Sequence, residues 1–263
     1  MKRLTTLITA AAVVVGPMAV AATATAAPDD ARKPAAYTVT AKVNIQEMDL
    51  GEGVVKVRGK VTPRAAGKRV FLEQRGAGLR KWTVTGRATI KRNGTYLFTD
   101  EPSAYGTHQY RVVKLRSNGV RRGTSPVVAV RVYEWQKLAQ RPKGAFENIA
   151  VSSTALVGGV PYAFSFQPFT RGAASYVEYP LKGLCTDLRT TYSMHDSAAV
   201  GSSSRITLAL DGVTTVDQTL VKGQVVPSTT DLTGALTLRY DLFSNADPAS
   251  YPAVLVPEVR CTR

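Results

Sequence analysis

Only two histidines occur in the 263 residues, and one of them stands in His195-Asp196-Ser197, an imidazole, a carboxylate and a hydroxyl in a row. A nucleophilic triad needs those groups to converge from separate places through defined hydrogen bonds. Adjacency in sequence therefore reads as a turn, and no nucleophile-elbow pattern surrounds Ser197. His108 lies in a strand-like stretch, and no histidine pair has the spacing of a zinc protease. Glycosidic-bond hydrolysis usually needs two carboxylates flanking the scissile bond. Glu178, Asp187, Asp196, Asp211 and Asp241 are available, but they fall on different expected strands and turns. Gly158-Gly159 reads as an ordinary turn, and Gly201-Ser-Ser-Ser204 lacks the lysine and helix of a phosphate cradle. The chemistry-bearing residues point away from catalysis.

They suit binding better. A sugar ring is held by an aromatic face against its C–H groups and by polar groups on its hydroxyls. His195 and Asp196 close one expected strand, and a later polar loop carries Asn245, Asp247 and Tyr251. If both loops meet at one rim, these five residues form a ligand site. Tyr192 and Tyr240 sit on alternating apolar faces and are expected in the core.

Two further groups carry chemistry. Cys185 and Cys261 are the only cysteines. In an exported chain they are expected to form one disulfide, with two buried thiols as the alternative. The cations are uneven: residues 27–136 hold 21 Lys and Arg against 9 Asp and Glu, while residues 148–263 hold 8 against 9. Lys56, Arg58 and Lys60 share one face of an expected strand, and Arg87, Lys91 and Arg92 follow. Outside a cell such a surface meets cell-wall polymers or anionic lipid headgroups, or it is simply solvated. No nucleic-acid reading motif accompanies it.

The elements that must position these residues are short strands. Residues 37–45 alternate with Tyr37, Val39, Ala41, Val43 and Ile45 on one face. Residues 54–61 turn Val55, Val57 and Val61 inward. Strands are expected over 68–75, 81–90, 108–115 and 127–132, with turns at Asn93-Gly94 and Asn118-Gly119. Residues 133–138 are expected to begin a brief helical connector. Then Tyr162, Phe164 and Phe166 are expected to share a face, as are Leu188, Thr190, Tyr192 and Met194. Residues 205–210 and 236–242 alternate strictly, and Asp211-Gly212 is a tight turn. Residues 252–261 form the last strand.

Residues 1–26 read as a secretory leader, with Lys2 and Arg3, an apolar run over 7–20, and small residues at Ala24-Thr25-Ala26. The remainder divides into a basic β-sandwich over 37–134, a linker over 135–147 and a second sandwich over 148–263. The fold class is all-β.

The second half resembles the NPCBM carbohydrate-binding module, a galactose-binding-like jelly roll. The resemblance rests on Tyr179-x-Leu181-x-Gly183-x-Cys185 and on Gly201-Ser-Ser-Ser-Arg205-Ile-Thr-Leu-Ala-Leu-Asp-Gly212. Leu220-x-x-Gly223 and Asp231-Leu-Thr-Gly-Ala-x-x-Leu-Arg-Tyr240 follow in the family's order. Where the family continues into a glycine and paired acids, this chain reads Ser193-Met-His-Asp196. The resemblance implies sugar binding without a cofactor; a jelly roll of this class can also hold a structural calcium through loop oxygens, but no dense acidic loop here calls for one. The first half resembles bacterial Ig-like modules through Gly59-x-Val61-x-Pro63, Gly67-x-x-Val70-x-Leu72 and Tyr110-Arg-Val112, which implies a fold and no activity. The expected protein is secreted, non-enzymatic and glycan- or surface-binding. A structural or adhesion protein without sugar binding is the alternative, and a cryptic glycan-processing enzyme comes third.

Overall fold

The structure, a computed structural model, describes residues 35–76 and 78–263, so the leader expected over residues 1–26 lies outside the described residues. The chain opens with β1 (Thr38–Val39), β2 (Lys42–Val43), β3 (Glu47–Asp49) and β4 (Val55–Thr62). There follow β5 (Arg69–Arg75), β6 (Thr83–Thr89), β7 (Thr95–Asp100), β8 (Gly106–Lys114), β9 (Gly123–Thr124) and β10 (Val128–Lys137). In β4 the period of two is kept: Val55, Val57 and Val61 are buried while Lys56, Arg58 and Lys60 are exposed. The short sheet of β1, β2, β4 and β7 faces the sheet β6-β5-β8-β10, which β3 joins in parallel along β10. One core lies between them, with Val57, Val61 and Phe98 from the first sheet against Leu72, Tyr110 and Val130 from the second.

The stretch expected as one strand over 37–45 is broken into two. β1 pairs with the end of β4 and β2 with its middle. The cause is Gly59. A Cβ there would stand 1.7 Å from the carbonyl oxygen of Thr40, and the Tyr96 hydroxyl donates to the same oxygen. The backbone approaches this closely only because residue 59 has no side chain. Beyond the break the alternation fails at Ile45, which is 38 % exposed.

The second set of strands is β11 (Phe146–Glu147), β12 (Ile149–Val157), β13 (Val160–Pro168), β14 (Ser175–Pro180) and β15 (Cys185–Met194). It ends with β16 (Ser203–Leu210), β17 (Val213–Val221), β18 (Val225–Asp231), β19 (Thr237–Phe243) and β20 (Pro252–Cys261). One sheet joins β12, β13, β20, β15 and β18; the other runs β11-β14-β19-β16-β17. Between them Phe166, Tyr179, Tyr192 and Tyr240 form an aromatic centre, with ring centroids 5.9–6.3 Å apart. The Asp211-Gly212 turn has φ of 50° and 83°, the paired positive values that suit a two-residue hairpin. Cys185 and Cys261 are bonded as a cross-strand pair of β15 and β20, and both are buried.

Two expectations change here. Residues 133–137 are not helical: β10 runs on to Lys137, and Glu134 to Lys137 pair with the end of β20. That edge supplies the backbone partners a helix would otherwise have to provide. Only Leu138–Gln140 form a single 3-10 turn. One sheet therefore passes through both cores, and Arg260 on β20 fastens them further. It donates to Asp49 at 2.5 Å and lies 4.1 Å from the Tyr133 ring. The second change is in β13. Phe164 has φ of 60°, and the β12–β13 pairing shifts register beside it. Phe166 thus enters the main core, while Tyr162 packs on Ala155, Val157, Ala253 and Leu255.

Candidate functional site

The register of β15 against β20 builds the site. Met194 stands opposite Pro252, so the residue after one and the residue before the other must be neighbours. The His195 N–H donates to the Tyr251 carbonyl at 2.8 Å, and the two rings meet edge to face with centroids 5.4 Å apart. A third loop, between β13 and β14, brings Arg171. Its guanidinium lies 4.9 Å from the Tyr251 ring centroid and donates to Ser197 Oγ at 3.1 Å. The same loop carries Phe169, 69 % exposed. The Ala199 N–H donates to Ala249 O, and Lys222 Nζ to Ala198 O, which tie the rim together.

His195 Nδ1 accepts the Ser197 N–H at 3.0 Å and stands 2.9 Å from Ser197 Oγ. A nitrogen that accepts an amide proton carries none itself, so the neutral ring holds its proton on Nε2. Partial burial depresses the imidazole pKa below its ordinary value; the Asp196 charge opposes this and the Arg171 charge adds to it. The ring is therefore neutral near pH 7.

Asp196 faces elsewhere. Its two oxygens accept the N–H groups of Gly158 and Gly159, each at 2.8 Å, and its own N–H donates to Leu156 O. The bonds from Gly159 and Gly158 hold the carboxyl below the usual carboxylate range. Asp196 thus clamps the tip of the β12–β13 hairpin. Among the described residues no carboxylate orients Nε2 of the Ser197–His195 pair, and the Nδ1 lone pair already receives an amide proton. The local geometry of a serine nucleophile is incomplete.

Asn245 braces its own loop: its side-chain amide donates to Ser203 O at 3.2 Å and its N–H to Ser250 Oγ at 2.6 Å. Asp247 is exposed ahead of a cis proline, and among the described residues it makes no hydrogen bond or ion pair. Tyr251 is half-buried against the core edge, less free than its loop position implies. Of the five residues expected at the rim, the structure joins His195 and Tyr251 directly. Asn245 and Asp247 lie on the adjoining loop, and Asp196 points to the hairpin. Sequence reasoning missed Arg171 and Phe169, and it read Ser197 as a turn residue and not as part of the rim. An aromatic and an arginine two residues apart in a loop were the available signal. Among the described residues no group of three or more His, Cys, Asp or Glu is placed to hold a metal ion.

The expected polyanion residues divide. Lys56, Arg58 and Lys60 line one face of β4, with Lys42 of β2 directly opposite Arg58. Lys91 and Arg92 precede β7 at the adjoining turn. Arg87 lies apart, exposed on β6 in the opposite sheet, where it lines a small cleft with Arg69. Among the described residues no helix is long and apolar enough to cross a membrane.

No protein-family model matches the sequence, and no curated protein matches it. Solved structures give distant likenesses. CBM51 from Clostridium perfringens GH95, in complex with methyl-galactose, is 14% identical with TM-score 0.40, over 48% of this chain and 99% of that one. The secreted serine protease VesC from Vibrio cholerae is 11% identical with TM-score 0.32, over 84% of this chain and 50% of that one. The CBM36-1 domain of a multidomain xylanase from the hindgut metagenome of Trinervitermes trinervoides is 11% identical with TM-score 0.27, over 49% and 95%. At these scores they decide nothing about the chemistry of this chain.

Proposed function

We propose that the protein is a secreted, non-catalytic glycan-binding protein, with an NPCBM-like jelly roll over 148–263 that carries the site. An Ig-like spacer over 37–134 contacts an anionic surface, and residues 135–147 join the two. The observation that carries the reading is the rim at the end of β15. Register forces an imidazole, a phenol ring, a guanidinium and a hydroxyl together in three loops, beside the exposed ring of Phe169. These groups offer hydrogen-bond donors to sugar hydroxyls and an apolar face to ring C–H groups. The clamp role of Asp196 and the occupied Nδ1 of His195 support binding over catalysis. The separate cores and the sheet order of β1–β10 support a sandwich spacer, and the buried disulfide suits an oxidising compartment.

A broad glycan array with the full mature chain tests this. A saturable glycan ligand is expected, with retention lost in Arg171→Ala and His195→Ala. A screen without any ligand would replace this reading with the structural or adhesion one. Release of cleaved sugar from a bound glycan would replace it with an enzyme.

A further inference from the structure

We infer that the outer face of β2, β4 and β7 is a binding groove for a linear anionic polymer, one whose phosphate or sulfate groups repeat along a single thread. This deepens the anionic-surface part of the reading above and rests on it. The face is recessed, with a volume of about 520 Å³. Lys56, Arg58 and Lys60 line it at alternate positions of one strand, which sets their origins about 7 Å apart. Lys42 faces Arg58 across the β2–β4 pair.

The line continues past Lys60. A Cβ on Gly94 would stand 3.5 Å from Lys60 Cγ, so the turn carrying Lys91 and Arg92 packs directly beside that side chain. No acidic side chain among the described residues lines the groove. Among the described residues, none of these six cations makes an ion pair. Elsewhere arginines do find carboxylates: Arg111 and Arg131 in the first half, and Arg189, Arg205, Arg239 and Arg260 in the second, are ion-paired. Unpaired like charges held in one cleft repel each other, and a polyanion that enters relieves that repulsion while releasing its own counterions.

The shape selects among polyanions. Cations in file inside a groove match a thread. A membrane anchor needs an apolar face to insert, and the apolar side chain exposed here, Leu97, lines the groove among the cations. Single-stranded nucleic acid is held by stacking on open aromatic faces. Tyr96 is 2% exposed and its hydroxyl is bonded to Thr40 O.

The test is a titration of the full mature chain with long-chain inorganic polyphosphate, followed by fluorescence anisotropy over a series of salt concentrations. The variant carrying Lys56→Gln, Arg58→Gln and Lys60→Gln should bind at least about tenfold more weakly, and its salt slope should fall by about 2, three contacts at roughly 0.7 each. The Arg69→Gln, Arg87→Gln variant, altered on the opposite sheet, should change by less than about twofold. If the triple variant does not fold, Arg58→Gln alone should lower the slope by about 0.7. Wild-type protein that ignores polyphosphate at low salt sinks the anionic partner altogether. Equal losses in the two variants leave a general charge effect and overturn only the groove. Tighter binding to phosphatidylglycerol vesicles than to polyphosphate overturns the thread, and tighter binding to single-stranded DNA overturns the exclusion of nucleic acid and reassigns the groove to it.

Discussion

His195 shows how a single residue is tuned by three neighbours. Burial disfavours its charged form, Asp196 favours it and Arg171 disfavours it. Protonation would also cost the bond that Nδ1 accepts from Ser197. Arg171→Ala should therefore raise the His195 pKa, read by NMR as a shift of its imidazole titration midpoint toward higher pH. The linkage has a definite sign. The unfolded chain takes up a proton as pH falls below about 6.5, and the folded rim resists until lower pH. The stability that His195 contributes is thus complete above that value and lost as pH falls through the depressed folded pKa. His195→Ala should flatten this part of the stability-against-pH curve, and an unchanged curve would contradict the assignment. Tyr240 tests the core at the same scale. It is fully buried beside Phe166 and Tyr192, and Tyr240→Ala should cost about 3–5 kcal/mol in denaturant unfolding.

Elements are held by contacts that sequence periodicity does not display. Asp196 grips the β12–β13 tip through two amides, so Asp196→Ala should speed hydrogen exchange at Gly158 and Gly159 by about tenfold or more, and leave β16 and β19 protected. Gly59 admits the Thr40 carbonyl, so Gly59→Ala should destabilise by at least about 2 kcal/mol through overpacking, measured by thermal melting. The legible and illegible parts of the fold separate along this line. In β4 and β19 the period of two agrees with burial, and the alternation in the sequence is the alternation in the structure. In β16 the central position between two neighbouring strands buries Thr207 and Ala209 as well as Ile206 and Leu208. The break at Thr40 depends on a tyrosine 56 residues away. The reversal at Phe164 depends on a bulge against β12, and the extension of β10 depends on pairing with the last strand. None of these long-range partners leaves a local mark. The same holds at the rim: His195 and Tyr251 were legible because one follows an expected strand and the other immediately precedes one, whereas Arg171 arrives on a loop with no periodicity at all.

At the scale of the molecule, two cores share one sheet, and β20 is where they meet. It carries Cys261, it pairs with β10, and its Arg260 reaches Asp49. The disulfide closes a separation of 76 residues, for which the chain-entropy account gives roughly 4 kcal/mol. Reduction should lower the denaturant midpoint reported from the aromatic centre of residues 148–263 far more than that reported from Trp82 in the other half. Equal shifts would show that β20 couples the cores into one cooperative unit. The charge divides along the same line, with a cationic groove free of ion pairs among the described residues in one half, and in the other Arg189, Arg205, Arg239 and Arg260 paired with carboxylates on the strands. That division suits a protein that touches two chemically different parts of one surface.

The claim that the β15 rim binds glycan is open to one direct measurement. The chain has only two histidines. His195 lies in the rim, and His108 is buried in the other half between Gln74 and Ala104. The imidazole C–H signals therefore provide a reporter and an internal control in one NMR spectrum. Titration with the best glycan from an array should move the His195 signals saturably and leave those of His108 in place. Saturable glycan binding with the His195 signals unmoved would contradict the site.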